Sequence, residues 1–416
     1  MTPRVSVLIP TYNRDEYLAE CLDSILEQTL RPYEVIVVDD GSSDATRQVL
    51  NNYESGIKII KSPNRGKPAA LNLGLAAATG KYVWVFDDDD VALLDALERF
   101  VAPLEAHPEY GFSYSTFHYT ETEPGSHRIG RIVGESRIPD VESRGFLIPL
   151  LESNFLGGAA LFARRACYDE VGGFDERLLR SQDYEMAIRI ARRFTGVRVP
   201  GPATFHYRQH PGQRGPSSDQ FEASQRYSKW LEYDQLIFRR LYEQLPLEAY
   251  LPPGGQLTEL TRNAHLQRLA IVASKLLVDQ ACQELEHLGN FETTRFSDEE
   301  RRLIRRLTVA PFYKQGRVLD RPEFTGRLRA LARRSPAVRQ LRREIVRSLG
   351  WRPRSWRPPA LIGQLTRSSS SALSLFLPIP RLKQSPRPCS PKSSSRHKAR
   401  SRGSAARRFP PVSAPE

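Results

Sequence analysis

The sequence is poor in cysteine and has no pattern that pairs the few cysteines it contains. Four occur among 416 residues, none in a CxxC arrangement: Cys21, Cys167, Cys282 and Cys389. This spacing argues against a disulfide framework and a zinc finger, and it favours a reducing compartment. The sequence also lacks an apolar run of 18 residues, and an apolar segment begins directly after Arg4. We therefore expect no membrane span, no secretory signal and a cytoplasmic location.

The sequence likewise lacks the two common glycine-rich loops that bind phosphates. No GxGxxG follows the first apolar segment, and GxxxxGK[ST] does not occur. The first absence argues against a dinucleotide-dependent dehydrogenase, and the second argues against a P-loop enzyme. A nucleotide would have to be held in another way, with its diphosphate bound through a metal.

Positive charge is unevenly distributed along the chain. The formal net charge is +13. Residues 301–416 hold 29 Lys and Arg against 4 Asp and Glu, which leaves 32 basic and 44 acidic residues in the first 300. A nucleic-acid-binding surface inferred from the overall charge would rest on the last quarter alone, so we expect no nucleic-acid partner.

Length and patterning predict three segments. We predict an α/β domain over residues 1–215, a mostly helical C-terminal region over 216–350, and a disordered, low-complexity basic tail over 351–416. A polar Gly/Pro/Ser stretch at 212–219 marks the first boundary. Within the second segment, residues 256–288 have the periodicity of one long helix.

The first hundred residues alternate between short apolar runs and segments of helical periodicity. The runs rich in β-branched and aromatic residues that predict strands are 5–9, 34–38, 57–60 and 81–86, and residues 112–118 and 158–163 predict two more. Strands that alternate with helices are typical of βαβ units. The pattern therefore predicts an α/β fold with a mainly parallel sheet covered by helices on both faces.

Polar residues follow the predicted strands where each strand ends. They are Thr11, Tyr12 and Asn13 after the first strand, Asp39 and Asp40 after the second, and four aspartates, Asp87 to Asp90, after the fourth. Ligands of open α/β sheets bind at these ends. Carboxylates that converge in one crevice repel one another, and a hard divalent cation relieves the repulsion. The sequence therefore predicts a site for Mg²⁺ or Mn²⁺ and a diphosphate.

Five segments in this order resemble the successive signatures of family 2 glycosyltransferases. They are residues 5–14 (VSVLIPTYNR), 37–43 (VVDDGSS), 64–67 (NRGK) with Asn72, 86–90 (FDDDD), and 172–185, which contains GGFDE and SQDYE; a sixth segment, 207–210 (YRQH), ends the resemblance. Enzymes of this family are inverting nucleotide-sugar transferases with the GT-A fold. The resemblance implies a nucleotide-sugar donor and a glycan or lipid-linked acceptor, in cell-surface polysaccharide or glycoconjugate synthesis.

The resemblance also implies which residues bind the nucleotide. Tyr12 would stack on the base, and Asp40 would accept the N3–H of uracil, which favours a UDP- or dTDP-linked donor without excluding guanine. Asp87 would contact the ribose side. The full set of implied nucleotide-binding residues is Pro10, Thr11, Tyr12, Asp40, Lys67, Asp87 and Asp88.

The same resemblance assigns the metal and the catalytic base. Asp89 would ligate the cation, with Asp90 close by, and His210 would reach the metal or the diphosphate. Asp183 matches the family's base, although Gln182 precedes it where Glu is common. A positioned carboxylate can take the proton of an acceptor hydroxyl as the new bond forms.

Each of these residues also has a simpler explanation. The aspartate run could be a solvated helix cap, Asp40 part of a turn, Tyr12 a core aromatic, Asp183 the N-cap of its own helix, and Lys67 and His210 surface residues. Two other functions remain open from the sequence. One is a sugar nucleotidyltransferase, and the other is a non-catalytic module that binds a nucleotide or a glycan.

The C-terminal helices carry an apolar stripe among arginines. Val338, Leu341, Ile345 and Leu349 share one helical face between basic residues. A basic amphipathic helix can lie on an anionic membrane surface, which would place the protein at the inner face of the membrane. The alternative is that the helices pack on the α/β domain or form a dimer.

Overall fold

A computed structural model describes residues 4–123, 125–209, 225–292, 295–309, 313 and 315–350. His210, the proposed boundary at 212–219 and the basic tail at 351–416 therefore lie outside the described residues, and the predictions made for them stay predictions.

The described residues form eleven strands and thirteen α-helices. The strands are β1 (Val5–Thr11), β2 (Glu34–Asp39), β3 (Lys58–Lys61), β4 (Tyr82–Val85), β5 (Val91–Ala92), β6 (Tyr110–Tyr114), β7 (His118–Thr122), β8 (Ile129–Glu135), β9 (Leu161–Arg164), β10 (Thr195–Arg198) and β11 (Phe205–Gln209). The helices are α1 (Asp15–Leu26), α2 (Thr46–Asn51), α3 (Lys67–Ala77), α4 (Ala96–Ala106), α5 (Leu147–Glu152), α6 (Arg165–Val171), α7 (Gln182–Ala191), α8 (Arg226–Gln244), α9 (Leu257–Ser274), α10 (Val278–Leu288), α11 (Asp298–Arg306), α12 (Pro322–Arg334) and α13 (Pro336–Gly350).

A seven-stranded sheet forms the centre of the N-terminal domain. Its order is β10-β6-β9-β4-β1-β2-β3, and only β9 runs antiparallel to its neighbours. All seven residues of β1 are buried, as expected for a strand covered on both faces. The predicted α/β class with a mainly parallel sheet flanked by helices is confirmed. Because β1, β2 and β4 are parallel, their carboxyl ends meet at one edge.

A second, four-stranded sheet was missed by the sequence analysis. Its order is β5-β11-β7-β8. We expected one strand over residues 112–118, but β6 ends at Tyr114 and β7 begins at His118, in a different sheet. The bend between them is held by the amide of Ser115, which donates to the carbonyl of Ala160. The sequence pattern does not show such a change of sheet, because aromatic residues recur on both sides of the break, at Phe112, Tyr114 and Phe117.

The helical C-terminal region, α8 to α13, packs onto the N-terminal domain. One continuous hydrophobic core extends from Val5 in β1 to Leu349 in α13. The predicted single helix over 256–288 is wrong, because α9 ends at Ser274 and α10 begins at Val278. Leu276, between them, has a left-handed backbone conformation with φ of 54°. Periodicity continues through the break because both helices bury an apolar face.

The apolar stripe of α13 lies inside this core. Val338, Leu341, Ile345 and Leu349 are each at most 4% exposed. The burial of these four residues supports the alternative that the helices pack on the rest of the protein. It also means that the apolar stripe does not face a membrane. Within the part of the chain that the structure describes, helices long and apolar enough to span a bilayer are absent.

Candidate active site

One cavity of about 980 Å³ opens at the carboxyl ends of β1, β2 and β4. Nine of the residues singled out from the sequence line it: Pro10, Thr11, Tyr12, Asp40, Lys67, Asp87, Asp88, Asp89 and Asp183. The volume lies at the upper end of the range of ligand sites, so a nucleotide sugar fits with space for a second substrate. The structure thus brings together residues that are up to 173 positions apart in the chain.

The carboxylate of Asp40 is buried and held by the loop before α3. Its two oxygens accept hydrogen bonds from the backbone amides of Arg65, at 3.0 Å, and Gly66, at 2.7 Å. Gly66 has φ of +93°, and a Cβ there would lie 2.8 Å from Leu179. The NRGK segment therefore orients Asp40. A carboxylate oxygen has a second lone pair, so Asp40 can still accept a hydrogen bond from a ligand.

The turn after β1 is fastened to the turn after β2. The amide of Asn13 donates to the hydroxyl of Ser42, and the side-chain oxygen of Asn13 accepts from the amide of Ser43. Asn13 has φ of 52°, a left-handed conformation that asparagine adopts more readily than most residues. These bonds hold Tyr12 in the cavity wall beside Asp40. Tyr12 is half-buried there and is absent from the hydrophobic core.

The aspartate run enters the cavity with two cationic partners. Lys67 Nζ lies 2.6 Å from Asp87 Oδ1, and Arg14 Nε lies 3.7 Å from Asp88 Oδ1. Burial by itself lowers the pKa of Lys67, but its interactions with Asp87, Asp183 and Asp89 outweigh burial, so the pKa is raised and Lys67 stays charged. Lys67 therefore belongs to the cavity and is not a free surface lysine.

Burial acts in the opposite direction on the neighbouring carboxyl group. It raises the pKa of Asp88 to about 7, with the charges of Asp89 and Asp87 adding to the effect and Arg14 opposing it. The run thus concentrates more negative charge than the surrounding cations neutralise. This is the environment in which a divalent cation is bound most readily.

Three of the four aspartates can share one cation. Carboxylate oxygens of Asp87, Asp89 and Asp90 all lie within 4.8 Å of one another. An all-oxygen, all-carboxylate donor set suits Mg²⁺ or Mn²⁺. The set includes Asp89, the ligand that the resemblance implied, and adds Asp87 and Asp90. The residues present therefore fit a divalent cation.

Arg208 supports this run from behind, and the sequence analysis missed it. Its guanidinium is fully buried and donates to the backbone carbonyl of Asp89 and to Glu20, while its amide donates to Asp90 Oδ1 at 3.0 Å. Arg208 lies in β11 and within the sixth segment of the resemblance, which gave it no role of its own. An arginine in a strand between aromatic residues, within a segment already singled out by the resemblance, was the signal that could have identified it.

Asp183 lies in the first turn of α7 and points into the cavity. A Cβ built on Gly158 would lie 3.4 Å from Asp87 Oδ2 and 3.7 Å from Asp183 Oδ2, so both carboxylates approach the same point. Burial raises the pKa of Asp183, whereas Lys67 and the amides of Asp183 and Tyr184 oppose the rise. Asp183 thus interacts with its own helix terminus, as the capping alternative required, and with the cavity as well.

Asn72 holds two loops together and does not line the cavity. Its amide group joins α3 to the GGFDE segment: Asn72 Oδ1 accepts from the amide of Phe174, and Nδ2 donates to Glu176. Arg65 also pairs with Glu176, at 2.8 Å. These contacts fix the loop that precedes α7 against the loop that holds Asp40.

The helical region supplies part of the cavity wall, and no motif predicted this. The lining residues from this region are Arg226, Tyr227, Trp230, Asp234, Ser274, Lys275 and Tyr313. They lie outside the segments of the resemblance, and consecutive members are up to 40 positions apart in the chain. Only the packing of α8 and α9 on the N-terminal domain brings them to the cavity.

With the site described, comparison with known proteins decides the family. Residues 6–170 match the family model for glycosyl transferase family 2. The chain carries a glycosyltransferase family 2 domain. Its mainly parallel sheet flanked by helices agrees with the α/β architecture that the resemblance implied. The family match favours a glycosyltransferase over a sugar nucleotidyltransferase. It ends before Asp183, so the match does not itself cover the candidate base.

The chain is also similar to individual proteins. The chain is 30% identical over 192 residues to an uncharacterized glycosyltransferase of Rickettsia prowazekii, a segment that covers 46% of this chain and 59% of that protein. It is 24% identical over 205 residues to an uncharacterized glycosyltransferase of Haemophilus influenzae, covering 48% of this chain and 67% of that protein. The chain thus spans only about three fifths of the length of its Rickettsia prowazekii relative, and 32% of a Rickettsia felis relative.

Two solved structures share a broader but weaker likeness. Staphylococcus aureus TarS 1–349 in complex with UDP-GlcNAc has a TM-score of 0.49 and 18% identity, with 83% of this chain and 89% of that chain covered. The mannosyltransferase PcManGT from Pyrobaculum calidifontis, in complex with GDP-Man and Mn²⁺, has a TM-score of 0.47 and 20% identity, with 71% and 77% covered.

Proposed function

We propose that the protein transfers a sugar from a nucleotide-sugar donor to a hydroxyl of a glycan or lipid-linked acceptor, with inversion at the anomeric carbon. The observation that carries the proposal is that Asp40, Asp183 and the first three residues of the aspartate run, Asp87 to Asp89, line one cavity. All of these except Asp183 lie within the segment that matches family 2. This arrangement places a possible base-binding carboxylate, a metal-binding cluster and a possible proton acceptor around a single space.

The donor would lie along the edge of the sheet. Tyr12 offers an aromatic face for the nucleotide base, and Asp40, oriented by two amides, offers an acceptor for an N–H group of a uracil or thymine ring. Pro10 and Thr11 complete this end of the cavity. At the other end, Lys67 places a positive charge next to Asp87, where the ribose and the first phosphate would approach.

Asp87, Asp89 and Asp90 would hold the divalent cation, which when bound supplies positive charge that stabilises the departing diphosphate. Asp183 would take the proton of the acceptor hydroxyl as the hydroxyl oxygen bonds to the anomeric carbon. Its buried position raises its pKa, which makes the carboxylate a stronger base than an exposed aspartate. The proton ends on Asp183 and the nucleoside diphosphate leaves from the opposite face of the sugar.

The proposal is tested first by a thermal-shift screen of nucleotide sugars with and without Mn²⁺. A donor that binds only the folded protein raises its stability by about 2.7 kcal/mol at a hundredfold excess over the dissociation constant. We expect a UDP- or dTDP-sugar to raise the melting temperature only when Mn²⁺ or Mg²⁺ is present. Absence of any metal-dependent shift across UDP-, dTDP- and GDP-sugars would contradict the proposal.

We further propose a role in polysaccharide or glycoconjugate synthesis at a membrane surface. Since the apolar stripe of α13 is buried, contact with a membrane would rest on exposed arginines of α12 and α13, among them Arg333, Arg334, Arg343 and Arg347. Purely electrostatic contact is screened by salt. Flotation with anionic vesicles at low salt that is lost at high salt would support this contact; recovery that is equal with neutral vesicles, or no recovery, would exclude it.

A further inference from the structure

A buried ion pair of the helical region lies at the cavity, next to the helix that carries Asp183. Lys275 follows α9 and is 2% exposed, and Asp234 in α8 is 4% exposed. Lys275 Nζ lies 3.1 Å from Asp234 Oδ2 and donates to the hydroxyl of Tyr313 at 2.8 Å. Tyr313 in turn donates to Asp234. We call Asp234, Lys275 and Tyr313 the junction cluster.

The junction cluster satisfies its own charges. Aromatic rings of Tyr184, Phe238 and Tyr313 surround Lys275, with its Nζ 4.6 Å from the ring centre of Phe238. Burial lowers the pKa of Lys275, and Asp234 opposes this fall. Buried ion pairs of this kind add little net stability, because desolvation offsets their attraction. What such a pair does define is the position of the groups bonded to it.

One bond connects the junction cluster to the start of α7. The hydroxyl of Ser181 donates to Asp234 Oδ1 at 2.8 Å. Ser181 is the residue before α7, and it is two positions from Asp183. A serine at this position ordinarily caps the helix by accepting a hydrogen bond from a backbone amide. The side chain of Ser181 makes no such bond, and the backbone of Ser181 is left-handed, with φ of 54°. The hydroxyl of Ser181 therefore bonds to the helical region and not to the first turn of α7.

A second contact fixes the same turn from its other side. Tyr184, the residue after Asp183, is buried, and its hydroxyl donates to the carbonyl of Leu150 at 2.6 Å and lies 3.5 Å from Lys275 Nζ. Ser181 and Tyr184, on either side of Asp183 in the chain, are therefore both held by groups outside α7. Asp183 itself projects between them into the cavity.

We infer that Asp234 and Lys275 are positioning residues for Asp183, so that the helical region completes the transferase site. The inference rests on the proposed function in that Asp183 is the base. The helical region then sets the direction from which the proton of the acceptor is removed, while donor binding depends on the N-terminal domain. A displacement of about 1 Å at a reacting group can cost on the order of a hundredfold in rate.

Ser181→Gly separates this role from simple helix initiation. Glycine accepts the positive φ without strain, so the fold and the melting temperature should be preserved. If the hydroxyl positions α7 through Asp234, kcat of transfer falls by about tenfold or more while the KM for the donor stays within about twofold. Wild-type kcat in Ser181→Gly would overturn the inference.

Asp234→Asn tests the pair itself, with Glu284→Gln as its matched control. Glu284 is also a fully buried carboxylate of the helical region, bonded to His265, Arg268 and Tyr242, but it does not line the cavity. Both variants should lower the melting temperature. Only Asp234→Asn should lower kcat about tenfold at constant donor KM; an equal fall in kcat for Glu284→Gln would show a merely structural role and overturn the inference.

Amide hydrogen exchange distinguishes failure of this inference from failure of the proposed function. In Ser181→Gly and Asp234→Asn, amides in the first turn of α7 should exchange faster than in the wild type, and those of β1 should not change. This readout needs no substrate. If no donor supports transfer, the proposed function fails, yet faster exchange still supports the structural link; unchanged exchange in both variants overturns that link.

Discussion

The N-terminal domain and the helical region contribute to the same cavity in different ways. In the N-terminal domain Tyr12, Asp40 and the aspartate run follow strand ends, and backbone amides of neighbouring loops hold them, as the amide of Gly66 holds Asp40. In the helical region the cavity residues come from separate helices, and they are joined side chain to side chain, as Lys275 and Asp234 are. The cavity residues of the N-terminal domain therefore belong to short contiguous sequence motifs, whereas those of the helical region do not.

The difference shows how much of a transferase site a motif can specify. Donor-side groups lie within a few residues of a sheet edge whose geometry is the same wherever parallel strands end. The wall opposite them depends on how α8 and α9 pack, which no local pattern determines. We therefore expect substitutions in the N-terminal domain to alter donor binding and chemistry, and substitutions in the helical region to alter the geometry of transfer.

The largest expected effect is that of Asp183→Asn. An amide cannot take the proton of the acceptor, so transfer should fall by about 10³-fold, while the donor-induced rise in melting temperature is retained. Initial rates of transfer and thermal shifts measure the two effects. The exposed Asp169, which pairs with Arg165, provides the control Asp169→Asn with wild-type rates. Full transfer by Asp183→Asn would remove this residue from the mechanism.

Asp89→Ala should impair metal-dependent donor binding, which the comparison assigns to the N-terminal domain. Loss of one carboxylate from the candidate metal set weakens cation binding, so the metal-dependent part of the donor-induced thermal shift should disappear and turnover should fall at least about a hundredfold. Asp95→Ala, at an exposed aspartate before α4, is the matched control. The same shift with and without Mn²⁺ in the wild type and in Asp89→Ala would rule out metal binding here.

Lys67→Met should shift the pH dependence of transfer. Because Lys67 opposes the burial-induced rise in the pKa of Asp183, removing its charge should raise that pKa further. A base is active in its deprotonated form, so the acid limb of kcat/KM should move to higher pH. Rate profiles from pH 4 to 9 measure the shift. An acid limb at unchanged or lower pH would show that Asp183 is not the group that titrates.

The smallest expected effect is at a partly exposed contact between the two regions. Arg240 of α8 lies 2.7 Å from Asp175, and Arg177 together with Arg240 holds the pKa of Asp175 below its ordinary value of 3.8. Arg240→Gln should therefore cost at most about 1 kcal/mol of folding free energy near neutral pH.

The pH dependence of that cost has a defined sign. Since the pKa of Asp175 is lowered in the folded state, its contribution is present above the ordinary value of 3.8 and is lost as the pH falls. Urea denaturation at pH 7 and pH 3 should therefore show a difference between wild type and Arg240→Gln that shrinks at the lower pH. A larger difference at pH 3 would contradict this account.

Much of the N-terminal domain could be predicted, for an identifiable reason. The strands ending at Thr11 and Asp39 are nearly continuous apolar runs, and buried parallel strands require such runs. The division between β6 and β7 could not be predicted, since aromatic residues recur through residues 112–118 on both sides of the break. The break at Leu276 was missed in the same way, because a single left-handed residue does not interrupt the periodicity.

The residues of the candidate site likewise divide into those that the sequence could identify and those that it could not. Tyr12, Asp40 and Asp89 were identifiable because they stand beside strand ends in a recognisable order. Arg208 and the junction cluster were not identified, because each acts through partners distant in the chain: Arg208 reaches Glu20, and Asp234 reaches Ser181. The sequence around a basic or acidic residue does not identify a partner that is distant in the chain.

The amino-acid sequence by itself determined the class of the fold, the order of the strand-end motifs and the acidic character of the cavity, because these depend on local periodicity and on residues adjacent to buried strands. The tertiary structure alone decided that Lys67 pairs with Asp87, that the stripe of α13 is buried, and that a lysine of the helical region lies beside the helix of Asp183. Contacts between distant segments form only when the core closes, and their geometry is set by the packing of whole helices and not by neighbouring residues.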